Sequence, residues 1–381
     1  MTSDSLWPNA EERLLLQSAL LNGPAAVAAF EEWRGRFGDR SEFRWGVLRL
    51  LPLVYQNLHA HGVRDPLMGR MRGMYRKTFC ETHQLFHHTV PVVRELVSHG
   101  LPVLLLKGTP LVLSYYRNHA LRPMADLDLW VPRDRVHAAI QIMIEAGYVC
   151  TESYDADALH YRHAVNFIHP SGGDIDLHWR MLYETRDPAL DEMIWLTGEP
   201  LEFLGVPVRQ PDPTAMLLTV IMHGVRWNEE TPIRWVPDAL TILRVRGPAI
   251  QWQRLVSTAR KYRLSNRLGR GLAYLVETFE APVPADVLEQ LLRRRSLLEL
   301  VENTVLLSDG WWYARSVLGT QWVAFTEYCR LAPSGGALAF LNGYSHFLRY
   351  RMGLDGRSEI VPFILRGVVR RLQDESVGQE A

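Results

Sequence analysis

The sequence predicts an α+β protein, a small mixed-sheet core with helical domains on both sides. Three observations carry that expectation. Apolar residues recur at helical spacing from about residue 10 to 100. The period then shortens to two between about 101 and 210, where short apolar runs alternate with glycine turns. Helical spacing returns at Pro213 and holds to about 372. The expected division is an N-terminal helical domain over 1–100, an α+β core over 101–210, a C-terminal helical domain over 211–372 and a polar, disordered tail over 373–381.

Each element has a local reason. Leu14, Leu15, Leu16, Leu20 and Leu21 make one apolar face, Gly23-Pro24 breaks it, and Phe30, Trp33 and Phe37 resume it. Leu48, Leu51, Val54, Tyr55 and Leu58 mark a helix over about 43–60. A longer helix over about 65–98 should be interrupted or kinked near Pro91. His83, His87 and His88 lie on it without facing carboxylates in view, so solvated or hydrogen-bonded histidines are expected there rather than a zinc site. After Gly100-Leu101-Pro102, strands are expected at 103–106, 127–131, 148–152, 164–169 and 174–179, with a further short one at 206–208. Helices should fill 109–116 and the stretch from Pro132 to the C-capping Gly147. Ser171-Gly172-Gly173 makes a hairpin turn between the strands on either side.

Two stretches in this core carry chemistry. In Leu104-Leu105-Leu106-Lys107-Gly108-Thr109 an apolar run breaks at glycine before helix-prone sequence, the arrangement that offers backbone N–H groups to a phosphate. In Asp126-Leu127-Asp128-Leu129 alternation puts both aspartates on one strand face, roughly 7 Å apart. Two acids on a strand beside a glycine turn can hold Mg²⁺ against a triphosphate. Ile175, Leu177 and Trp179 face one way in a later strand, so Asp174, Asp176 and His178 share the other face. Asp174, beside the turn, reads as solvated.

Gly108-Thr109 followed by Asp126-Leu127-Asp128 resembles the signature of the polymerase-β-like nucleotidyltransferase superfamily, which pairs a Gly-Ser or Gly-Gly turn with an Asp-x-Asp strand. Lys107-Gly108, Arg122 and Asp176-Leu177-His178 narrow the resemblance to its uncharacterised bacterial nucleotidyltransferase family, over about residues 100–245. The chain departs from the pattern at Thr109 and in its longer gap between Gly108 and Asp126.

The resemblance implies transfer of an NMP, or another phosphoryl fragment, from an NTP such as ATP to a hydroxyl-bearing acceptor, with Mg²⁺ or Mn²⁺. It implies that Asp126 and Asp128 hold the metals and that Asp176 completes the metal site and orients or deprotonates the acceptor. Gly108 and Thr109 would receive the phosphates, Lys107 and Arg122 would neutralise developing charge, and His178 would join the nucleotide site. His223, with Arg234, Trp235 and Asp238, resembles the family's second block. Two readings of His223 stand: a buried hydrogen bond to Asp238 stapling the helical domain to the core, or a residue of the nucleotide site. The favoured acceptor is a small molecule, a peptide natural product or a protein. An RNA end and a non-catalytic nucleotide-binding scaffold are the alternatives.

Composition sets outer limits. In 381 residues 42 basic and 42 acidic side chains balance, so no global field draws the protein to nucleic acid or an anionic membrane. Lysine occurs only at Lys77, Lys107 and Lys261, so a lysine directly before the glycine is against the compositional trend, and an ammonium suits a phosphate point contact. Cys80, Cys150 and Cys329 lie far apart and read as reduced core thiols. The first residues show no basic and apolar leader and no run reaches 18 apolar residues, so the expected address is the cytoplasm. Walker A, Gly-x-Ser-x-Gly and His-Glu-x-x-His patterns are absent. From Arg226 to Gly271 ten basic residues face the acids at 229, 230 and 238, an excess of +7. Together with Arg293-Arg294-Arg295 and the basic residues between Arg366 and Arg371, these read as solvated helix faces or as contacts to a nucleotide or RNA backbone. Trp311, Trp312, Tyr313 and Trp322 are expected in the core.

Overall fold

The first helices form where the apolar spacing places them. In the computed structural model, which describes residues 7–38, 43–226, 233–293, 296–300, 317–331 and 336–367, they are α1 (Ala10–Leu20), α2 (Pro24–Phe37), α3 (Trp45–Ala60) and α4 (Leu67–Ser98). Asn9 and Glu12 close a capping box at the start of α1, and Pro24 opens α2. Helix α4 runs 32 residues and continues through Pro91, so the expected interruption is absent.

The sheet has seven strands in the order β3-β4-β5-β2-β1-β7-β6. They are β1 (Leu104–Leu105), β2 (Asp126–Trp130), β3 (Val149–Cys150), β4 (Ala164–Ile168), β5 (Asp174–His178), β6 (Glu199–Phe203) and β7 (Val206–Gln210). Central β2 pairs antiparallel with β1 and parallel with β5, so the sheet is mixed. Between β1 and β2 a turn of helix, α5 (Gly108–Pro110), continues as a π-helix over Leu111–Tyr116. Further helices are α6 (Val136–Glu145), α7 (Ala156–Tyr161), α8 (Pro188–Thr197), α9 (Pro213–Gly224), α10 (Trp235–Arg246), α11 (Trp252–Lys261), α12 (Ser265–Phe279), α13 (Ala285–Arg293), α14 (Val317–Leu331) and α15 (Ala337–Arg351).

Strand alternation sorts the sheet's side chains into two cores. Leu127, Leu129, Ile175 and Leu177 pack on Val93 and Leu96 of α4 and Met143 of α6. Leu104, Leu106 and Trp130 face the other way, into a larger cluster that joins Leu15 and Leu50 of the N-terminal helices to Leu217, Leu240 and Leu272 of the C-terminal ones. The two helical flanks therefore share one core on the face of the sheet that carries the acids. A third, smaller cluster seats Tyr161 on Tyr328 and Phe347 of α14 and α15.

Several expectations are corrected. Trp322 is 41% exposed and stacks on Phe325 instead of entering the core. None of the three cysteines is buried, and Cys80 is exposed, although all are free thiols. Part of the basic excess after residue 226 is taken up by partners within the chain: Arg244 donates to the Leu20 carbonyl, Arg246 pairs with Glu199, Arg254 with Asp212 and Arg267 with Glu184. Trp311, Trp312, Tyr313, Arg294, Arg295, Arg370, Arg371 and the tail over 373–381 lie outside the described residues. Among the described residues no helix is long and apolar enough to cross a membrane.

Candidate active site

Register brings the carboxylates together. In the parallel pair of β2 and β5, Asp126 is opposite Asp174 and Asp128 opposite Asp176. Residues directly opposite point to the same side of a sheet, so Asp126, Asp128 and Asp176 share the face turned toward the helical core. Asp128 is buried at 5% exposure, while Asp126 and Asp176 are half-buried. Lys107 Nζ lies 2.6 Å from Asp128 Oδ1, and His178 Nε2 lies 3.0 Å from the same oxygen. Asn166, opposite Asp176 in the β4–β5 hairpin, donates its Nδ2 to Asp176 Oδ1 at 3.1 Å.

The two acids of β2 differ electrostatically. Burial, with Asp128 and Asp176 beside it, pushes the Asp126 carboxyl up to about 6. Burial would also raise Asp128, but Lys107 and His178 outweigh it and hold that carboxyl well below the usual range. One acid is thus a fixed anion and its neighbour titrates near neutrality.

The glycine turn is built tightly. Lys107 adopts φ 46° and ψ −106°, a conformation that ordinarily belongs to glycine. A Cβ on Gly108 would come within 2.4 Å of Met124 Sδ and 2.7 Å of Arg122 Nη1, so any side chain there would have to displace those two. Thr109 is 1% exposed and its hydroxyl has no partner.

Arg122 serves a different neighbour from the acids. Its Nε and Nη2 grip the Asp238 carboxylate of α10 at 2.9 to 3.1 Å, and the Tyr116 hydroxyl donates to Asp238 Oδ1 at 2.9 Å. Burial would weaken the guanidinium charge, but Asp238 restores it and raises the Arg122 pKa. The staple between core and helical layer is therefore Arg122–Asp238–Tyr116. The expected His223–Asp238 bond is absent because the carboxylate is already taken. His223 sits half-buried near the end of α9, where burial and the neighbouring Lys107 and Arg226 push its pKa well down. It is a neutral imidazole at neutral pH.

Three further groups complete the site: Arg234 belongs to the block read from the sequence beside His223, whereas sequence reasoning did not single out His163 and Arg226. His163 packs its ring 5.3 Å from that of His178, and burial keeps it neutral. Arg226 has its pKa lowered by burial, against the pull of Glu184. Arg234 donates to the Pro123 carbonyl and is lowered to about 9, by burial first and then by Arg122 and Arg49. Asn166 was legible, since the hairpin register alone sets it opposite Asp176. Nothing in the spacing of His163 or Arg226 marks them.

Ligand atoms of Asp128, Asp176 and His178 all lie within 4.8 Å of one another, and among the described residues no second such group of three occurs. On α4, His83 Nε2 meets His119 Nδ1 at 3.0 Å.

The chain is similar to an antigenic nucleotidyltransferase-like protein from Paracoccidioides brasiliensis, known from its crystal structure, at 14% identity and a TM-score of 0.36, over 57% of this chain and 95% of that one. No curated protein matches it. The family described as uncharacterised nucleotidyltransferase matches residues 47–280, and with more than half of its length so covered, the chain belongs to that family.

Proposed function

We propose that the chain transfers an NMP, or another phosphoryl fragment, from an NTP to a hydroxyl-bearing acceptor, with Mg²⁺ or Mn²⁺ as cofactor. The observation that carries this reading is the in-register pair Asp128 and Asp176 on adjacent parallel strands, with Asp126 on the same face. The donor set fits a hard divalent cation: carboxylate oxygens on two strands converge, and a histidine already orients one of them. Asp126, Asp128 and Asp176 would hold the ion, which when bound supplies charge neutralisation at the phosphates and acidifies a coordinated hydroxyl.

The rest belongs to the chain itself. Lys107 and His178 fix the Asp128 carboxylate as an anion in a single orientation. Asn166 orients Asp176, which is left one oxygen with which to hold or deprotonate the acceptor hydroxyl. Gly108 and Thr109 offer backbone N–H groups at the start of α5, and Lys107 and Arg234 supply positive charge beside them. Arg122 positions this turn through Asp238. His223 faces the same cation–acid cluster as a neutral donor or acceptor for the nucleotide. Because Arg244, Arg246, Arg254 and Arg267 are spent on internal partners, a small molecule, peptide or protein suits the acceptor better than RNA does.

Incubation of the purified protein with each labelled NTP, Mg²⁺ or Mn²⁺ and cell extract, followed by size fractionation, tests the reading. Label should pass to an acceptor fraction with the native chain and not with Asp128→Asn. Equal labelling by both, or none with any NTP, would refute it.

A further inference from the structure

Beside the site, a cleft of about 500 Å³ opens between the segment after β5 and the C-terminal helices, lined by His160, Arg186, Lys261, Arg263 and Arg330 among others. The two acids on its wall are already engaged. Glu184 pairs with Arg267 at 2.7 Å, and Asp187 caps α8 while accepting from Tyr262 and pairing with Lys261. Arg186 has no carboxylate. Its Nη1 meets His160 Nε2 at 3.0 Å and its guanidinium lies over the Tyr161 ring at 4.8 Å. Nε and Nη2 form the opposite edge of the guanidinium, and both are buried without a hydrogen-bond partner.

A buried guanidinium edge without an acceptor is a costly arrangement, and the two parallel N–H groups match two oxygens of a phosphate or carboxylate. On the cleft wall four cations, Arg186, Lys261, Arg263 and Arg330, outnumber the two paired acids. Arg180 is lowered to about 10 by burial and by the neighbouring Arg133 and Arg186. The cleft is also connected to the acids. Its wall follows Tyr183, whose ring packs 5.6 Å from that of His163, and His163 in turn packs on His178, the partner of Asp128.

We propose that this cleft is an oxyanion subsite, in which the Nε/Nη2 edge of Arg186 takes a phosphate group borne by the acceptor. The assignment to the acceptor rests on the nucleotidyltransferase reading; the oxyanion subsite itself does not. A phosphate dianion suits the convergence of Arg186, Lys261, Arg263 and Arg330 better than a single carboxylate does. Both nitrogens are covered as the side chain lies, so an entering oxyanion turns the guanidinium off the Tyr161 ring.

Calorimetry on the full chain tests this with inorganic phosphate, ribose 5-phosphate, ribose and MgATP as probes. Phosphate and ribose 5-phosphate should bind and ribose should not. Arg186→Gln should weaken both phosphates by at least about tenfold, with Arg186→Lys between, since charge without the planar edge recovers only part of the affinity. MgATP affinity should be unchanged in both variants and should not be lost on saturation with phosphate. Asp128→Asn should lose MgATP and keep phosphate. If Arg186→Gln does not fold, Lys261→Gln on the exposed wall should still weaken phosphate binding. Phosphate affinity equal in the variants and the native chain would overturn the subsite. Parallel loss of MgATP with Arg186→Gln would show that the cleft holds the NTP's own phosphates. Arg186-dependent phosphate binding without any MgATP binding would leave the subsite standing and remove the nucleotidyltransferase reading.

Discussion

Asp126 and Asp128 are two positions apart on one strand face, yet they should respond to the same substitution with opposite signs. An unfolded aspartate releases its proton near 3.8, whereas Asp126 in the folded chain holds it to about 6. Between those values the folded state binds more protons, so stability falls as pH rises through the window. Asp126→Asn removes that repulsion and should raise stability at pH 7 by on the order of 2 kcal/mol. Asp128 has its carboxyl depressed, so its contribution is present above about pH 4 and is lost as pH falls below it. Asp128→Asn leaves Lys107 and His178 facing a neutral amide and should cost about 3 kcal/mol. Thermal melts at pH 7 check both, and shifts of the same sign would contradict the assignment. Asp176, opposite Asp128 and oriented by Asn166, acts on the acceptor in the proposed reaction. Asp176→Asn should therefore lower kcat with little change in KM for the NTP. A fully active or unfolded variant would remove it from that role.

At the scale of elements, the Arg122–Asp238–Tyr116 group ties the loop before β2 and the π-helix to α10. Asp238→Ala leaves a buried guanidinium unpaired and should cost about 3 kcal/mol or more, with strong coupling to Arg122→Ala in a double-mutant cycle. His223 takes no part in that group. His223→Ala should leave the melting temperature nearly unchanged while kcat/KM falls by a factor on the order of 100. A melting-temperature loss as large as that of Asp238→Ala would return His223 to the staple. The sequence made β2 and β5 legible because alternation is strict over Asp126–Trp130 and Asp174–His178, one face apolar and the other acidic. It hid β6, where Pro200 and acids at 199 and 202 break strand composition and the turn to β7 places Leu204 at φ 47° before Gly205. It also hid which partner Asp238 takes, since Arg122 and Asp238 are 116 positions apart and only the packing of α10 on the core brings them together.

For the whole molecule, the mixed sheet is a wall between two cores, and the acids stand on the side where N-terminal and C-terminal helices merge. In that merged layer part of the arginine charge of the C-terminal half is turned inward: Arg244 reaches Leu20 and Arg246 reaches Glu199, so the charge ties layers together. A local charge count along the sequence could not see those partners. On that face Asp126, Asp128 and Asp176 stand with Lys107 and His178, and in the proposed function this set binds a divalent ion and a nucleotide jointly. Calorimetry of an NTP with the native chain in Mg²⁺ or Mn²⁺ and again in EDTA measures this directly. Affinity should rise strongly with the metal and should lose that dependence in Asp128→Asn; equal affinity in EDTA and in Mg²⁺ would contradict the claim.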